Sequence, residues 1–329
     1  MKIIYLLILF LLLYTNSFCQ TQLMEGMFSN IEFFNPASIG RPNKSNLNLH
    51  VGTQWLTFGK EAPKVSILEY NKRVFSQKYG RRSSSRRNLV ATPHGFGFHL
   101  LDEKLGIYNE WLFGGSYSYH VNLGSENYLS FGIRAHISNG SINLNDIVFQ
   151  QNYDPLFMTM NQRTLKSNID LGILLYKEKY RRGRSGRDYF NSYYLGFSLI
   201  RLFDNALYFQ KDIENSLNRR TFNSAGGLSI PMNKKLSLSL SFSTYSTFSK
   251  FLSFYNFETS FEYMPQTYTN TNEDLLIRLG GEYSKYSIKT FLFFKLNNYS
   301  IKYSILQSNK EISSYNVISH TISLGYYID

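Results

Sequence analysis

The residues of this chain that are best suited to chemistry are six histidines, and their spacing predicts no catalytic or metal site. No two have the His-x-x-x-His spacing of a helical zinc site, and no Gly-x-Ser-x-Gly segment marks a hydrolase nucleophile. Asp146 and Asp154 could ligate Ca²⁺ but lack a calcium-loop motif. A dispersed Ser-His-Asp triad, as in a barrel esterase, stays open as an alternative. We therefore predict no enzyme activity, no cofactor and no metal. The six histidines are His50, His94, His99, His120, His136 and His320.

The first nineteen residues have the layout of a secretory signal peptide. Lys2 is followed by an apolar run over residues 3–14 and a small, polar stretch over residues 15–19. About a dozen apolar residues are too few to cross a bilayer of ~30 Å. We predict cleavage after Cys19, which leaves no cysteine for disulfides or thiolate chemistry. The alternative is that Cys19 carries a lipid, but such a site requires a small preceding residue and Phe18 is bulky.

The rest of the chain has the composition and periodicity of a transmembrane β-barrel. The sequence contains 26 Tyr and 27 Phe and no later window of ~18 apolar residues. Apolar and small polar residues alternate, for example over residues 129–138, 236–243 and 317–328. Lipid outside and a polar lumen inside produce this alternation, and it places Arg134 on the lumenal face. We predict an all-β, transmembrane antiparallel barrel in the outer membrane.

Counting the alternating segments gives about fourteen strands, an even number as in bacterial single-chain barrels. The connections between them include tight turns at Pro231-Met232-Asn233 and Asn297-Asn298. The predicted domain organisation is a signal peptide over 1–19, an N-terminal periplasmic or plug segment over 20–45, and a barrel over 46–329. The predicted strands cover residues 46–55, 63–73, 93–101, 107–120, 127–138, 165–177, 189–202, 219–230, 234–245, 250–263, 275–284, 286–296, 298–307 and 315–328.

Two connections are strongly basic and carry much of the formal net charge of +12. If the first strand starts in the periplasm, the strand count places both on the periplasmic side. Three interpretations stay open, namely solvated charge, docking to an acidic partner or anionic lipid, and nucleic-acid binding, which the absence of interleaved aromatic residues disfavours. The candidate docking residues are Arg81, Arg82, Arg86 and Arg87 in the first connection, and Arg181, Arg182, Arg184 and Arg187 in the second.

The segment Asn35-Pro36-Ala37-Ser38-Ile39-Gly40 precedes the first predicted strand. Proline fixes φ, asparagine can bond onward along the backbone, and glycine permits positive φ, so these residues predict a turn within a plug. Direct contact with a partner is the alternative. Trp55 and Trp111 are interpreted as residues at the membrane–water boundary, with packing in the lumen as the alternative.

The order and spacing of these motifs resemble the PorP/SprF family of outer-membrane proteins of the type IX secretion system. The resemblance begins at Asn35, Pro36, Ala37 and Gly40, and continues at Gln54, Trp55 and Pro63. It extends through Gly95-Phe96-Gly97, Leu129 to Gly132, Asp154-Pro155, Gly172 and the last strand from His320 to Tyr326. Two features depart from the family pattern. Gly52 stands where the family often has Arg, and both basic connections are longer than the resemblance leads us to expect.

The resemblance implies a non-enzymatic role in the export or surface attachment of large adhesin or gliding-type proteins. It implies a periplasmic complex, including a peptidoglycan-associated lipoprotein, as partner, together with the secreted adhesin-type client. Outer-membrane lipid surrounds a barrel of this kind, and no nucleic-acid partner is expected. A barrel for uptake of a small solute is the alternative function.

Overall fold

A computed structural model describes thirteen segments of the chain. They cover residues 31–41, 45–54, 62–76, 92–124, 127–142, 163–177, 192–203, 220–233, 235–247, 250–264, 275–284, 287–308 and 318–328. Within these segments, no helix has the length and apolarity needed to cross a membrane. The predicted cleavage site at Cys19 lies outside the described residues, and the division into residues 1–19, 20–45 and 46–329 stays a prediction.

Fourteen antiparallel strands follow a short helix, α1 (Ile31–Phe34), and a 3-10 turn (Pro36–Ser38). Each predicted strand overlaps one observed strand. The observed strands have nine to seventeen residues, which is enough to cross a bilayer at a tilt. They are β1 (Ser45–Thr53), β2 (Lys64–Ser76), β3 (Thr92–Leu105), β4 (Tyr108–Gly124), β5 (Asn127–Ile142), β6 (Arg163–Lys177), β7 (Ser192–Ile200), β8 (Thr221–Pro231), β9 (Leu236–Thr247), β10 (Lys250–Tyr263), β11 (Leu275–Ser284), β12 (Ser287–Leu296), β13 (Tyr299–Ser308) and β14 (Ile318–Ile328).

The strands close into one barrel in which each strand pairs with its neighbours in sequence and β1 pairs with β14. At the closing seam, Ser45 lies opposite Ile328 and Thr53 lies opposite His320. Closure satisfies the backbone groups of both edge strands, which a bilayer core would otherwise leave without partners. The predicted closed barrel of about fourteen strands is confirmed.

Side chains alternate between lipid and lumen as the period-two pattern predicts. On β4, Trp111 and Phe113 are exposed on the outer face, whereas Ser118 and His120 are fully buried. On β5, Arg134 is buried and faces inward, as predicted. The outer face is therefore apolar and aromatic, and the inner face carries hydroxyl, amide and charged groups.

The strand directions define two ends of the barrel. The proximal end carries Ser45, at the start of β1, and Ile328, at the end of β14, and the distal end is the opposite one. The two basic connections, residues 77–91 and 178–191, both leave from strand ends at the proximal end. Their own residues, including all eight candidate docking arginines, lie outside the described part of the chain.

Both predicted tight turns connect strands at the proximal end. Asn233 Oδ1 accepts hydrogen bonds from the backbone N–H groups of Lys235 and Leu236, each at 2.8 Å. Asn297 has φ +52°, a left-handed conformation that asparagine tolerates better than most residues. Short local side-chain and backbone preferences thus account for these two reversals.

Candidate functional site

The described N-terminal residues 31–41 lie inside the barrel, where we call them the docked segment. Asn35 Oδ1 accepts a hydrogen bond from the backbone N–H of Ala37 at 2.9 Å, and Ser38 Oγ donates to the Asn35 carbonyl at 2.7 Å. Pro36 begins the 3-10 turn, where a missing N–H removes no needed donor. Gly40, with φ +74°, ends the turn. The Asn-Pro-Ala sequence therefore folds as a locally bonded turn.

Five neighbouring strands present a continuous row of small residues to the docked segment. The inter-strand register sets Gly95 opposite Ser118, Ser118 opposite Gly132, Gly132 opposite Gly172, and Gly172 opposite Ser198. We call these five residues, on β3 to β7, the small-residue row. The docked segment crosses the strands along this row, because only glycine and serine leave room for a backbone there.

The glycines of the row are in close contact with the docked segment. A Cβ on Gly132 would overlap the Pro36–Ala37 peptide, and a Cβ on Gly172 would overlap the Asn35 side chain. A Cβ on Gly95 would overlap the carbonyl of Ile39. Side chains larger than hydrogen at these three positions are therefore incompatible with the observed position of the segment.

The serines of the row bind carbonyl groups of the docked segment. Ser198 Oγ donates to the Phe34 carbonyl at 2.6 Å, and Ser118 Oγ donates to the Ile39 carbonyl at 2.5 Å. Ser130, on β5 beside the row, donates to the Ala37 carbonyl at 2.6 Å. The backbone groups of an irregular segment need such partners when they are buried.

The Asn35 side chain forms hydrogen bonds to the barrel wall as well as within the turn. Its Nδ2 atom donates to the backbone carbonyls of Ile173 at 3.1 Å and Phe197 at 3.3 Å, on β6 and β7. Asn35 is only 3% exposed. Both ends of its amide are thus used, one for the turn and the other for the barrel wall.

A buried ion pair holds the start of the segment. Arg134 Nε donates to Asp170 Oδ2 at 2.6 Å, and the same guanidinium donates to the carbonyl of Phe33. Asp170 also accepts from the backbone N–H of Arg201 at 2.7 Å, and His136 Nδ1 lies 3.4 Å from its carboxylate. Because the carboxylate has several partners, its charge is compensated in the buried lumen.

A second buried network holds the end of the segment. Tyr176 and His120 interact through the Tyr176 hydroxyl and Nδ1 of His120 at 2.8 Å, while His120 Nε2 lies 2.9 Å from the Ile39 carbonyl. The Ser118 hydroxyl lies 2.9 Å from the same Nε2 atom. Because a carbonyl can only accept, His120 donates to Ile39 in the tautomer that carries the proton on Nε2. The Arg41 guanidinium lies over the ring of Tyr194, 4.6 Å from its centre.

Apolar contacts complete the docking on both sides of the turn. Phe33 packs with Ile67, Leu101 and Leu112, residues of β2, β3 and β4. Ala37 packs with Leu174 and Tyr176 of β6. The docked segment thus contributes a buried residue to each of these two apolar clusters.

The other half of the lumen contains a cavity of about 410 Å³. Its walls come from β1 and β2 and from β11 to β14, and Ile31 and Phe33 of the docked segment border it. The docked segment therefore occupies the side of the lumen formed by β3 to β7 and leaves space beside it.

The structure separates the residues that the sequence motifs grouped. Asn35, Pro36, Ala37 and Gly40 belong to the docked segment, whereas Gln54 and Pro63 lie at the distal end, where the Gln54 N–H donates to the Pro63 carbonyl at 3.0 Å. Trp55, Asp146 and Asp154 lie outside the described residues. Trp111 lies on the outer face with 43% of its surface exposed, away from the lumen.

The histidines divide between the two faces of the barrel. His50, His99, His120 and His136 face the lumen, whereas His94 and His320 contact tyrosines of the outer face, Tyr117 and Tyr303. Among the described residues, no three His, Cys, Asp or Glu side chains converge as a metal site would require.

Sequence reasoning missed Asp170, Ser118, Ser130 and Ser198 as partners of the docked segment. Gly95, Gly132 and Gly172 did form part of the motif pattern, without an assigned role. Their common signal is small or polar residues at lumenal positions of successive strands, and it becomes visible only when the strands are aligned in register.

The sequence profile of a family described as "Type IX secretion system membrane protein PorP/SprF" matches residues 16–326. No curated protein matches the chain. Among solved structures, the chain is similar to a Pseudomonas aeruginosa FadL homologue (9% identity, 90% of this chain and 92% of the other, TM-score 0.41). It is also similar to a KdgM porin in complex with disordered oligogalacturonate (7% identity, 86% and 99%, TM-score 0.40) and to a TodX monoaromatic hydrocarbon channel mutant (9% identity, 89% and 92%, TM-score 0.47).

Proposed function

The chain belongs to the PorP/SprF family of type IX secretion system membrane proteins, and on this premise we propose that it is a non-enzymatic part of that system. As an outer-membrane β-barrel, it supports the secretion or surface attachment of large adhesin or gliding-type proteins. The observation that carries the proposal beyond family membership is the docked segment, because this barrel uses one side of its lumen to hold its own chain.

The docked segment favours a structural role over free passage of solutes. Its backbone is bonded to β4, β5 and β7 through Ser118, Ser130 and Ser198, and Asn35 adds bonds to β6. A segment with this many wall contacts stays bound to the wall of the folded barrel in the membrane.

The proximal end is the proposed contact surface for periplasmic partners. Both chain ends of the barrel and both basic connections are there, and a basic surface favours acidic partners and anionic lipid headgroups. The candidate partners are periplasmic secretion proteins, including a peptidoglycan-associated lipoprotein. This arrangement requires export of the chain, with the leader removed after Cys19.

Gene deletion followed by quantification of surface adhesins on intact cells tests the proposed function. We expect surface adhesin to fall strongly in the deletion strain and to return when the full chain is restored. An unrelated outer-membrane protein measured in the same cells controls for general membrane damage. Unchanged adhesin display, in a strain without a second copy of the gene, would contradict the proposal.

The cavity of about 410 Å³ favours one further candidate function, uptake of a small solute. Conductance of the purified barrel in planar bilayers separates the two functions. Steady single-channel currents from the wild-type chain would support uptake, whereas silent bilayers would support the structural role.

A further inference from the structure

The lumenal cavity beside the docked segment has a cationic wall. Four side chains on three neighbouring strands line it, namely Arg278 of β11, Lys289 and Lys295 of β12, and Lys302 of β13. The wall across the cavity, from β1 and β14, contributes amide and hydroxyl groups that include Asn48, Thr321 and Ser323. Cations opposite neutral hydrogen-bonding groups are the usual surroundings of a bound oxyanion.

Arg278 and Lys289 are each held by a carboxylate. The Arg278 guanidinium is paired with Glu262, and Lys289 Nζ lies 3.0 Å from Glu282 Oε2. Glu282 also accepts a hydrogen bond from Asn256. Neither carboxylate lines the cavity. Their pairing holds the guanidinium and the ammonium group at fixed positions at the cavity surface.

The ammonium group of Lys302 packs against an aromatic ring. Its Nζ lies 4.2 Å from the centre of the Phe291 ring. Among the described residues, no carboxylate lies within ion-pair distance of this ammonium group. An ammonium group enclosed in a barrel is costly without a counter-charge. A negatively charged group in the cavity would supply it.

No carboxylate stands among the described residues that line the cavity. Glu262 and Glu282 are held by Arg278 and Lys289, and Glu258 of β10 acts on Lys302 without lining the cavity. The cavity surface itself therefore offers cationic and neutral groups to a ligand. A volume of about 410 Å³ is within the range of small-molecule sites.

We propose that this cavity binds a small oxyanion, a molecule that carries phosphate or carboxylate groups, with Lys302 as its main cationic contact. Thr321, across the cavity, is placed to donate a hydrogen bond to the same ligand. The site is distinct from the small-residue row, because it is formed by the opposite strands of the barrel. Binding does not depend on the role in secretion, so either proposal can fail alone.

Isothermal titration of the purified full chain in detergent micelles tests this proposal. Pyrophosphate serves as the phosphate probe and citrate as the carboxylate probe, each at several salt concentrations. The test variants are Lys302→Met, which removes the charge, and Lys302→Arg, which keeps it. Lys72→Met is the matched control, because Lys72 is an exposed lysine of β2 that does not line the cavity.

We expect at least one probe to bind the wild-type chain, and its dissociation constant to rise about tenfold or more in Lys302→Met, as loss of a charge-assisted contact predicts. For Lys302→Arg and Lys72→Met, the dissociation constant should stay within about threefold of the wild-type value. The probe that binds more tightly assigns the ligand as a phosphate or a carboxylate compound.

Stabilisation by the ligand keeps the test independent of folding differences between variants. At the same concentration, each probe that binds should raise the thermal midpoint of the wild-type barrel by more than that of Lys302→Met. Absence of binding by both probes up to millimolar concentration would overturn the proposal. Equal binding by wild type and Lys302→Met, or equal weakening in Lys72→Met, would also overturn it.

Discussion

Gly132 lies beneath the Pro36–Ala37 peptide, in the middle of the small-residue row. Its neighbours in the row are Ser118 and Gly172, on the strands to either side. The atoms that a Cβ would meet belong to the backbone of the docked segment, so rotation of a side chain cannot relieve the overlap. The space at this residue therefore decides whether the segment can lie against the wall.

We predict that Gly132→Val displaces the docked segment and destabilises the barrel by ~1–3 kcal/mol, the usual cost of overpacking. Urea unfolding in detergent micelles, followed by tryptophan fluorescence, measures the change. Gly115→Val is the matched control, because Gly115 on the neighbouring strand is exposed and a Cβ there meets no atom within 4 Å. An equal loss of unfolding free energy in both variants would show that the contact between Gly132 and the docked segment does not account for the effect.

Arg134 and Asp170 lie directly opposite one another on β5 and β6, and both are buried. We predict that Arg134→Met costs ~3–5 kcal/mol, because it leaves the Asp170 carboxylate buried without its main partner. The double variant Arg134→Met/Asp170→Asn should lose clearly less unfolding free energy than Arg134→Met, since neither charge of the pair remains. The same urea unfolding experiment compares the two. A double variant less stable than the single one would contradict this explanation.

The docked segment acts as one element, although it contains only a four-residue helix and a 3-10 turn. Isolated turns of this length do not persist in water. Here the barrel wall supplies the missing partners, through hydroxyl groups of three strands and the Arg134 guanidinium. The element is thus stable as part of the barrel and not by itself.

Replacing residues 31–41 with a Gly/Ser sequence of equal length should open the side of the lumen formed by β3 to β7. We predict a several-fold increase in bilayer conductance over the wild-type chain, since the apolar and backbone groups that fill this side are removed. Asn297→Gly is the control, because glycine suits the positive φ of this turn and leaves the lumen unchanged. Identical conductance of replaced and wild-type chains would show that the segment does not obstruct the lumen.

Sequence reasoning predicted the strands well because their signal is local. Alternation at Leu129 to Ser138 requires only neighbouring residues, and burial in the structure follows it. The contact between Asn35 and Gly172 is different, since 137 positions separate the two residues and nothing local links them. This contact depends on the register of five strands and on the side of the lumen against which the segment packs. The alternation of apolar and polar residues along a strand contains no information about such a long-range contact.

At the scale of the whole molecule, the fourteen-strand topology places both basic connections at the proximal end. Both connections leave from the same end only if six strands precede residue 178, and the structure has six. Whether this end faces the periplasm stays a prediction. A basic surface there would face the acidic or anionic partners of the proposed function.

Cysteine labelling of intact cells tests the orientation. We predict that cysteines at Arg82 and Arg184 are protected from an impermeant maleimide on intact cells and become reactive after the outer membrane is permeabilised. Ile107→Cys, in the β3–β4 turn at the distal end, should react in both conditions and is the control. Labelling of Arg82→Cys or Arg184→Cys on intact cells would reverse the assigned orientation.

The short tether between the docked segment and the barrel has a consequence for competition. Only residues 42–44 separate Arg41 from the start of β1 at Ser45. Docking is therefore intramolecular, and the row experiences the segment at an effective concentration on the order of millimolar or above. A free peptide of the same sequence would need comparable concentrations to displace it.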